Sequence, residues 1–161
     1  MKFLVKLALT ACLVIVSTTQ AFAQNAKYKC MLQLTNYKGL EAYVVVSLIA
    51  PNGKYEKTLY MMGPDKQWYN GFKEWDKQLG KKKEKLNGIT GASIAAGDRS
   101  SATFTIDESK MNKGYKLRFE SAVEDAKYYV ADVEIPLTTA DLTVKKEGTG
   151  YIRFVKLSKA N

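Results

Sequence analysis

The stretch EAYVVVSLIA (Glu41–Ala50), with PNGK (Pro51–Lys54) and YEKTLYMM (Tyr55–Met62) behind it, decides the fold class. The first segment is apolar on both faces and rich in valine. Such β-branched runs suit a strand covered on both sides. Asn52-Gly53 after Pro51 is a tight-turn signal. Residues 55–62 then read as the returning strand. Upstream, Tyr28 to Thr35 alternates apolar and polar positions, with Tyr28, Cys30, Leu32 and Leu34 in phase on one face. A turn at Asn36-Tyr37-Lys38-Gly39 is expected to join the three segments into an antiparallel meander.

Downstream, the period changes. Trp68, Phe72, Trp75 and Leu79 are spaced four, three and four apart, which puts them on one face of a short helix that Gly80 is expected to end. The stripe reads as packing on the sheet; as a functional alternative, Trp68 or Trp75 borders a flat heterocycle. Lys81-Lys82-Lys83-Glu84-Lys85 follows, then a loop from Leu86 to Asp98. Further strands are expected at Ser101–Ile106, Tyr115–Val123 and Lys127–Pro136, the last two joined at Glu124-Asp125-Ala126. Leu142–Lys145 and Tyr151–Leu157 complete the pattern, split by Gly148-Thr149-Gly150. Regular strand spacing with turn signals between strands predicts a mainly β protein: a single antiparallel, immunoglobulin-like β-sandwich of seven or eight strands with one short helix.

The N-terminus carries a short basic start (Lys2, Lys6), an apolar core from Leu7 to Val16 and the small-x-small pattern Ala21-Phe22-Ala23. This reads as an export signal over residues 1–23, cleaved near Ala23, with the sandwich over 24–161 in a periplasmic or otherwise extracytoplasmic compartment. A rival reading takes Leu9-Thr10-Ala11-Cys12 as a lipoprotein box with Cys12 as the anchor. The apolar run is too short to span a bilayer and no second one follows, so no transmembrane segment is expected in the mature chain. Net charge is +9 over the full chain, and falls to +7 without Lys2 and Lys6. Export argues against a nucleic-acid partner, and an anionic cofactor, an acidic protein or an anionic surface fits the basic balance instead. Only Cys30 would remain after cleavage, which excludes an internal disulfide. There is no histidine. Serine–histidine and cysteine–histidine catalysis and ordinary zinc sites are thereby removed. Asp98, Asp107, Glu108, Glu120 and Glu134 form no pair at recognisable catalytic spacing. A redox carrier or a binding protein is expected rather than a self-sufficient enzyme.

The remaining chemical feature is Asn87-Gly88-Ile89-Thr90-Gly91-Ala92-Ser93. Small and uncharged residues ending in a hydroxyl read as an exposed, flexible loop that offers Ser93 to another molecule, or simply as a turn. The segment resembles the flavin acceptor motif of extracytoplasmic redox subunits, Asp-x-x-(Ser/Thr)-Gly-Ala-(Ser/Thr), and departs from it in Asn87. The resemblance implies FMN joined to Ser93 through a phosphoester, with Thr90, Gly91 and Ala92 recognised by an FAD:protein FMN transferase. It also implies membrane redox proteins as partners. Lys81 to Lys85 are expected to attract the phosphate or an acidic partner.

The order of elements is similar to a bacterial secreted family known as domain of unknown function 2271. The likeness rests on the Lys38-Gly39 turn, Gly53-Lys54-Tyr55-Glu56-Lys57-Thr58-Leu59, the Trp-bearing helix, Thr90 to Ser93, and Gly114-Tyr115-Lys116-Leu117-Arg118-Phe119-Glu120-Ser121-Ala122. It covers nearly the whole mature chain and implies an association with extracytoplasmic flavin and electron transfer. The alternative is a secreted β-sandwich binding or assembly module without a cofactor, docking a partner by an exposed edge strand.

Overall fold

Strand pairing in the computed structural model, which describes residues 25–160, divides the chain between two sheets. The signal-peptide reading of residues 1–23 and the Cys12 anchor lie outside the described residues. The strands are β1 (Asn25–Leu34), β2 (Ala42–Ile49), β3 (Tyr55–Met62), β4 (Thr90–Gly91), β5 (Arg99–Asp107), β6 (Lys116–Val123), β7 (Tyr128–Pro136), β8 (Lys146–Glu147) and β9 (Ile152–Lys159). One sheet has the order β5-β1-β9-β8, the other β4-β3-β2-β6-β7. All pairs are antiparallel except β3 with β4. The protein is an antiparallel β-sandwich of immunoglobulin-like proportions, seven of its strands long and two only two residues each.

The hairpin expected over 41–62 is present. Gly53, at φ +78°, closes its turn with Gly53 N–H donating to the Ala50 carbonyl and Lys54 N–H donating to Asn52 Oδ1. The three-stranded meander is corrected. β2 pairs with β3 and β6, whereas β1 crosses to the opposite sheet and pairs with β5 and β9. The linking segment after β1 is anchored to that second sheet, since Thr35 N–H donates to the Tyr151 carbonyl at 2.8 Å.

β1 and β2 bury themselves differently. β1 alternates, with Tyr28, Cys30, Leu32 and Leu34 inward and Asn25, Lys27, Lys29, Met31 and Gln33 outward. β2 is buried almost throughout. Val44, Val46 and Leu48 enter the sandwich core, while Val45 points outward into a second cluster with Met61, Tyr69, Phe72, Trp75, Leu86 and Ala122. A helical layer therefore covers the outer face of the β2 sheet, and this explains the two-sided apolarity of its sequence.

That layer is two pieces rather than one helix. A 3-10 turn over Lys66–Gly71 is capped by Asp65, whose side chain accepts from Gln67 N–H. Helix α1 then runs Lys73–Lys82. Phe72, at φ −91° and ψ 61°, interrupts the path between them. Glu74 and Asp76 in the first turn of α1 and Lys81 and Lys82 in its last suit the helix dipole. Gly80 does not end the helix; Lys83 does, in the left-handed conformation, with its N–H donating to the Gly80 carbonyl. Trp75 and Phe72 are buried as the spacing predicted, but Trp68 is 39 % exposed. The strand expected at Leu142–Lys145 is instead a turn, with β8 only at Lys146–Glu147. There Thr138 and Asp141 hydrogen-bond to each other and Asp141 N–H donates to Thr138 Oγ1, a local alternative to a strand ladder.

Candidate functional site

The loop that ends at Ser93 is built into the edge of the helix-covered sheet. Gly88, at φ +77°, turns the chain after Leu86. β4 then lies parallel to β3, in register Met61↔Thr90 and Met62↔Gly91. Met61 N–H donates to the Ile89 carbonyl and Gly63 N–H to the Gly91 carbonyl, both at 2.8 Å. On the far side of Ser93, Ile94 and Ala42 exchange backbone hydrogen bonds of 2.8 and 3.0 Å. The expected flexible loop is thus corrected to a segment pinned on both flanks. A Cβ at Gly91 would meet the Tyr60 hydroxyl at 2.4 Å, so any larger residue here displaces the Tyr60 ring. Thr90 and Ala92 are exposed, and Gly91 and Ser93 half-buried.

Ser93 Oγ donates a hydrogen bond to the Glu41 carboxylate at the entry to β2. It also lines a cleft of about 760 Å³ between the sheet, the 3-10 turn and the β6–β7 hairpin. Tyr43, Phe72 and Tyr128 supply aromatic wall. Leu40 and Trp68 sit at its rim, 61 % and 39 % exposed. With Val144 they are the exposed large hydrophobics among the described residues, so two of the three gather here. The charged lining is acidic: Glu41, Glu124 and Asp125 against Lys73.

The other residues singled out in the sequence lie elsewhere. Trp75 is buried, donates its indole N–H to Thr58 Oγ1 at 2.9 Å and does not line the cleft at Ser93. Lys81 and Lys82 line a separate cleft of about 530 Å³ together with Lys54, Arg118 and Glu120, and do not line the one at Ser93. Glu84, in the same run, turns inward and accepts from the Tyr55 hydroxyl, Thr58 N–H and Thr58 Oγ1. This fastens the end of α1 to β3. Burial and the neighbouring Glu84 carboxylate push the Tyr55 phenol well above its ordinary pKa.

The carboxylates are mostly structural. Glu134 pairs with Lys116 and Arg118, which hold its pKa below the usual carboxylate value against the opposing effect of burial. Asp107 caps the turn at Ser109. Glu108 pairs with Lys159 and accepts from Tyr28. Two that matter were not singled out by spacing. Asp132 is buried on β7 and accepts from Ser121 Oγ and from the backbone N–H groups of Thr149, Gly150 and Ile152, at 2.8, 2.6 and 2.9 Å for the latter three. Glu120, 3 % exposed, accepts from the Tyr128 hydroxyl, and burial lifts its pKa to about 7. Its sequence signal was an acid on the outward phase of a strand that a predicted helix covers. Cys30 is free, buried and pushed up to about 12 by loss of solvent, the behaviour of a core residue rather than a reactive thiol.

No group of three or more His, Cys, Asp or Glu able to hold a metal occurs among the described residues, and no helix among them is long and apolar enough to cross a membrane. No curated protein and no solved structure matches the chain. A family model does: the one described as predicted periplasmic protein (DUF2271) matches residues 25–154, from the first residue of β1 to Phe154 in β9. That span takes in both sheets, the helical layer and the Ser93 loop, and the chain belongs to this family of predicted periplasmic proteins.

Proposed function

We propose that this protein is an extracytoplasmic flavin-carrying electron-transfer protein, with FMN joined by a phosphoester to Ser93. One observation carries the reading: the Ser93 hydroxyl opens into a cleft of a size that suits a cofactor, and an exposed tryptophan stands at its rim. Trp68 offers a flat apolar face on which a heterocycle stacks, with Leu40 beside it. Thr90 and Ala92 are exposed, as a transferase needs of the stretch it reads, and the pinned backbone presents the hydroxyl in one orientation.

The attachment step balances on this chain's side with one atom pair. Ser93 Oγ bonds to the FMN phosphorus of FAD, the pyrophosphate bond breaks and AMP leaves. The Ser93 proton passes to Glu41, which already accepts its hydrogen bond. Once the proton is gone, Glu41 is exposed and free to rotate from the new phosphate. The flavin supplies the redox chemistry, and the protein supplies placement. The partners are an FAD:protein FMN transferase and membrane redox proteins facing the same compartment.

The acidic lining favours a second reading. Three carboxylates and one lysine at the cleft, with an apolar rim, also suit a binding or assembly module that takes a partner segment without any cofactor. Intact mass and in-gel flavin fluorescence decide between them, on the exported protein co-expressed with a flavin transferase and beside Ser93→Ala. The added mass of one FMN with fluorescence, both lost in Ser93→Ala, is expected. A dark, unmodified protein under conditions that label a known acceptor overturns the flavin reading and leaves the binding module.

A further inference from the structure

We infer that the second cleft on the helix-covered sheet is a binding site for a small oxyanion, of phosphate or carboxylate type. The inference is independent of flavin at Ser93. The cleft, of about 530 Å³, lies between α1, the β2–β3 turn and β6. Three separate elements send cations into it: Lys54 from the turn, Lys81 and Lys82 from the last turn of α1, and Arg118 from β6. Chain-distant lysines and an arginine meeting over one cavity concentrate positive potential there.

These side chains are not merely a solvated charge run. Lys82 is held by the Glu56 carbonyl and lies 5.3 Å from the centre of the Tyr55 ring. Arg118 is oriented through Nε by Glu134 at 2.8 Å, which leaves its terminal N–H groups for the cleft. Among the described residues Lys54, Lys81 and Lys82 have no acidic partner.

The floor of the cleft is the second observation. Glu120 lines it while only 3 % exposed. Its Oε2 accepts the Tyr128 hydroxyl, and its Oε1 has no hydrogen-bond partner among the described residues. Ser47 Oγ is the buried side-chain polar atom without a partner among the described residues, so Glu120 Oε1 is open to the cleft and available to a ligand there. Protonated at Oε1, Glu120 donates to an anion oxygen while the lysines and Arg118 neutralise its charge. Ionised, it repels the same anion. Tyr128 from β7, Arg118 from its own strand and Glu74 from α1 act on Glu120, while Lys81 and Lys82 from α1, Tyr55 from β3 and Lys54 from the turn line the same cleft. Glu120 itself titrates near pH 7 because burial disfavours its charge.

Isothermal titration of the mature protein with sulfate and, separately, succinate tests the site at ionic strength held constant with sodium chloride. Both probes keep their charge between pH 6.5 and 8 to a good approximation, so a change in affinity reports the protein. Saturable binding is expected, and the stronger of the two probes tells tetrahedral from carboxylate recognition. Affinity is expected to fall by up to about tenfold as the pH rises across that range. Glu120→Gln is expected to remove the pH dependence while keeping binding, which a merely structural Glu120 would not do. Lys81→Ala with Lys82→Ala, both exposed, is expected to lower affinity at least about fivefold without changing the melting temperature. The site is overturned if neither probe saturates the native protein, or if the double lysine variant binds as tightly. The role of Glu120 is overturned if native binding is flat in pH.

Discussion

The two sheets share one core and differ on their backs. The β5-β1-β9-β8 sheet turns a polar outer face to solvent, as the strict alternation of β1 shows. The β4-β3-β2-β6-β7 sheet carries a helical layer with its own apolar cluster. Both clefts described above open along the seam between that layer and its sheet, the acidic one at the 3-10 turn and the basic one toward the end of α1. Covering one sheet creates walls, buried carboxyls and aromatic floors. The bare sheet turns Lys27, Lys29 and Gln33 of β1 outward, and a cleft of about 690 Å³ lies at its end, where Tyr28 and Lys159 meet Glu108 and Met111. The seam between the helical layer and its sheet holds two clefts of opposite charge.

The largest test of that difference is Trp75→Ala. The ring is 1 % exposed, touches Tyr69 and Phe72 edge-on at 5.2 and 6.0 Å and donates to Thr58. We expect a loss of about 3 to 5 kcal/mol in urea unfolding, with the helical layer detaching. Next comes Asp132→Ala. It removes the carboxylate that gathers three backbone N–H groups of the segment leading into β9 and so ties the edge of one sheet to the other. A cost of about 2 to 4 kcal/mol is expected by the same measurement. A smaller loss would mean that water replaces the carboxylate.

Glu120 gives the third effect, with a definite sign. Its folded pKa, about 7, stands above the ordinary glutamate value of 4.5 that the unfolded chain keeps. The folded state binds this proton more tightly, so the contribution is favourable in acid and is lost as pH rises from about 4.5 to 7. Glu120→Gln should therefore gain stability relative to the native chain by about 2 to 3 kcal/mol between pH 4 and pH 8. A constant difference across that range would remove the burial argument. The smallest effect belongs to the bare face. Lys156→Ala, on the exposed side of β9, should change stability by less than about 0.5 kcal/mol. A larger loss would show that something covers the second sheet as well.

The parts that sequence revealed follow from local patterns. Residues 41–50 read as a doubly covered strand because burial on both faces leaves a long apolar run, and the cover itself was legible in the spacing of Phe72 and Trp75. The failures have equally physical sources. Alternation in β1 fixes which face points inward but carries no information about its neighbour, and the residues between β1 and β2 are numerous enough to change sheets. The same periodicity ran across Phe72 without registering the backbone break, so Trp68 was placed on the packed face when it stands at a cleft rim. Gly80 suggested a helix end because the actual left-handed residue, Lys83, bears none of glycine's signal. The motif at Thr90–Ser93 was visible as a short run, but its partner Glu41 lies 52 residues away and only the Ala42–Ile94 bridge brings the two together.

The pairing of β4 with β3 has a consequence for life in a crowded compartment. β3 would otherwise present its outer row of N–H and C=O groups to any passing strand. The short parallel strand at Thr90–Gly91 occupies part of that row. The residues that display Ser93 thus also guard the sheet against adding a strand from another molecule. Changes that loosen the loop would uncover an adhesive edge, and this ties the mobility of the Thr90–Ser93 stretch to how well the protein resists self-association.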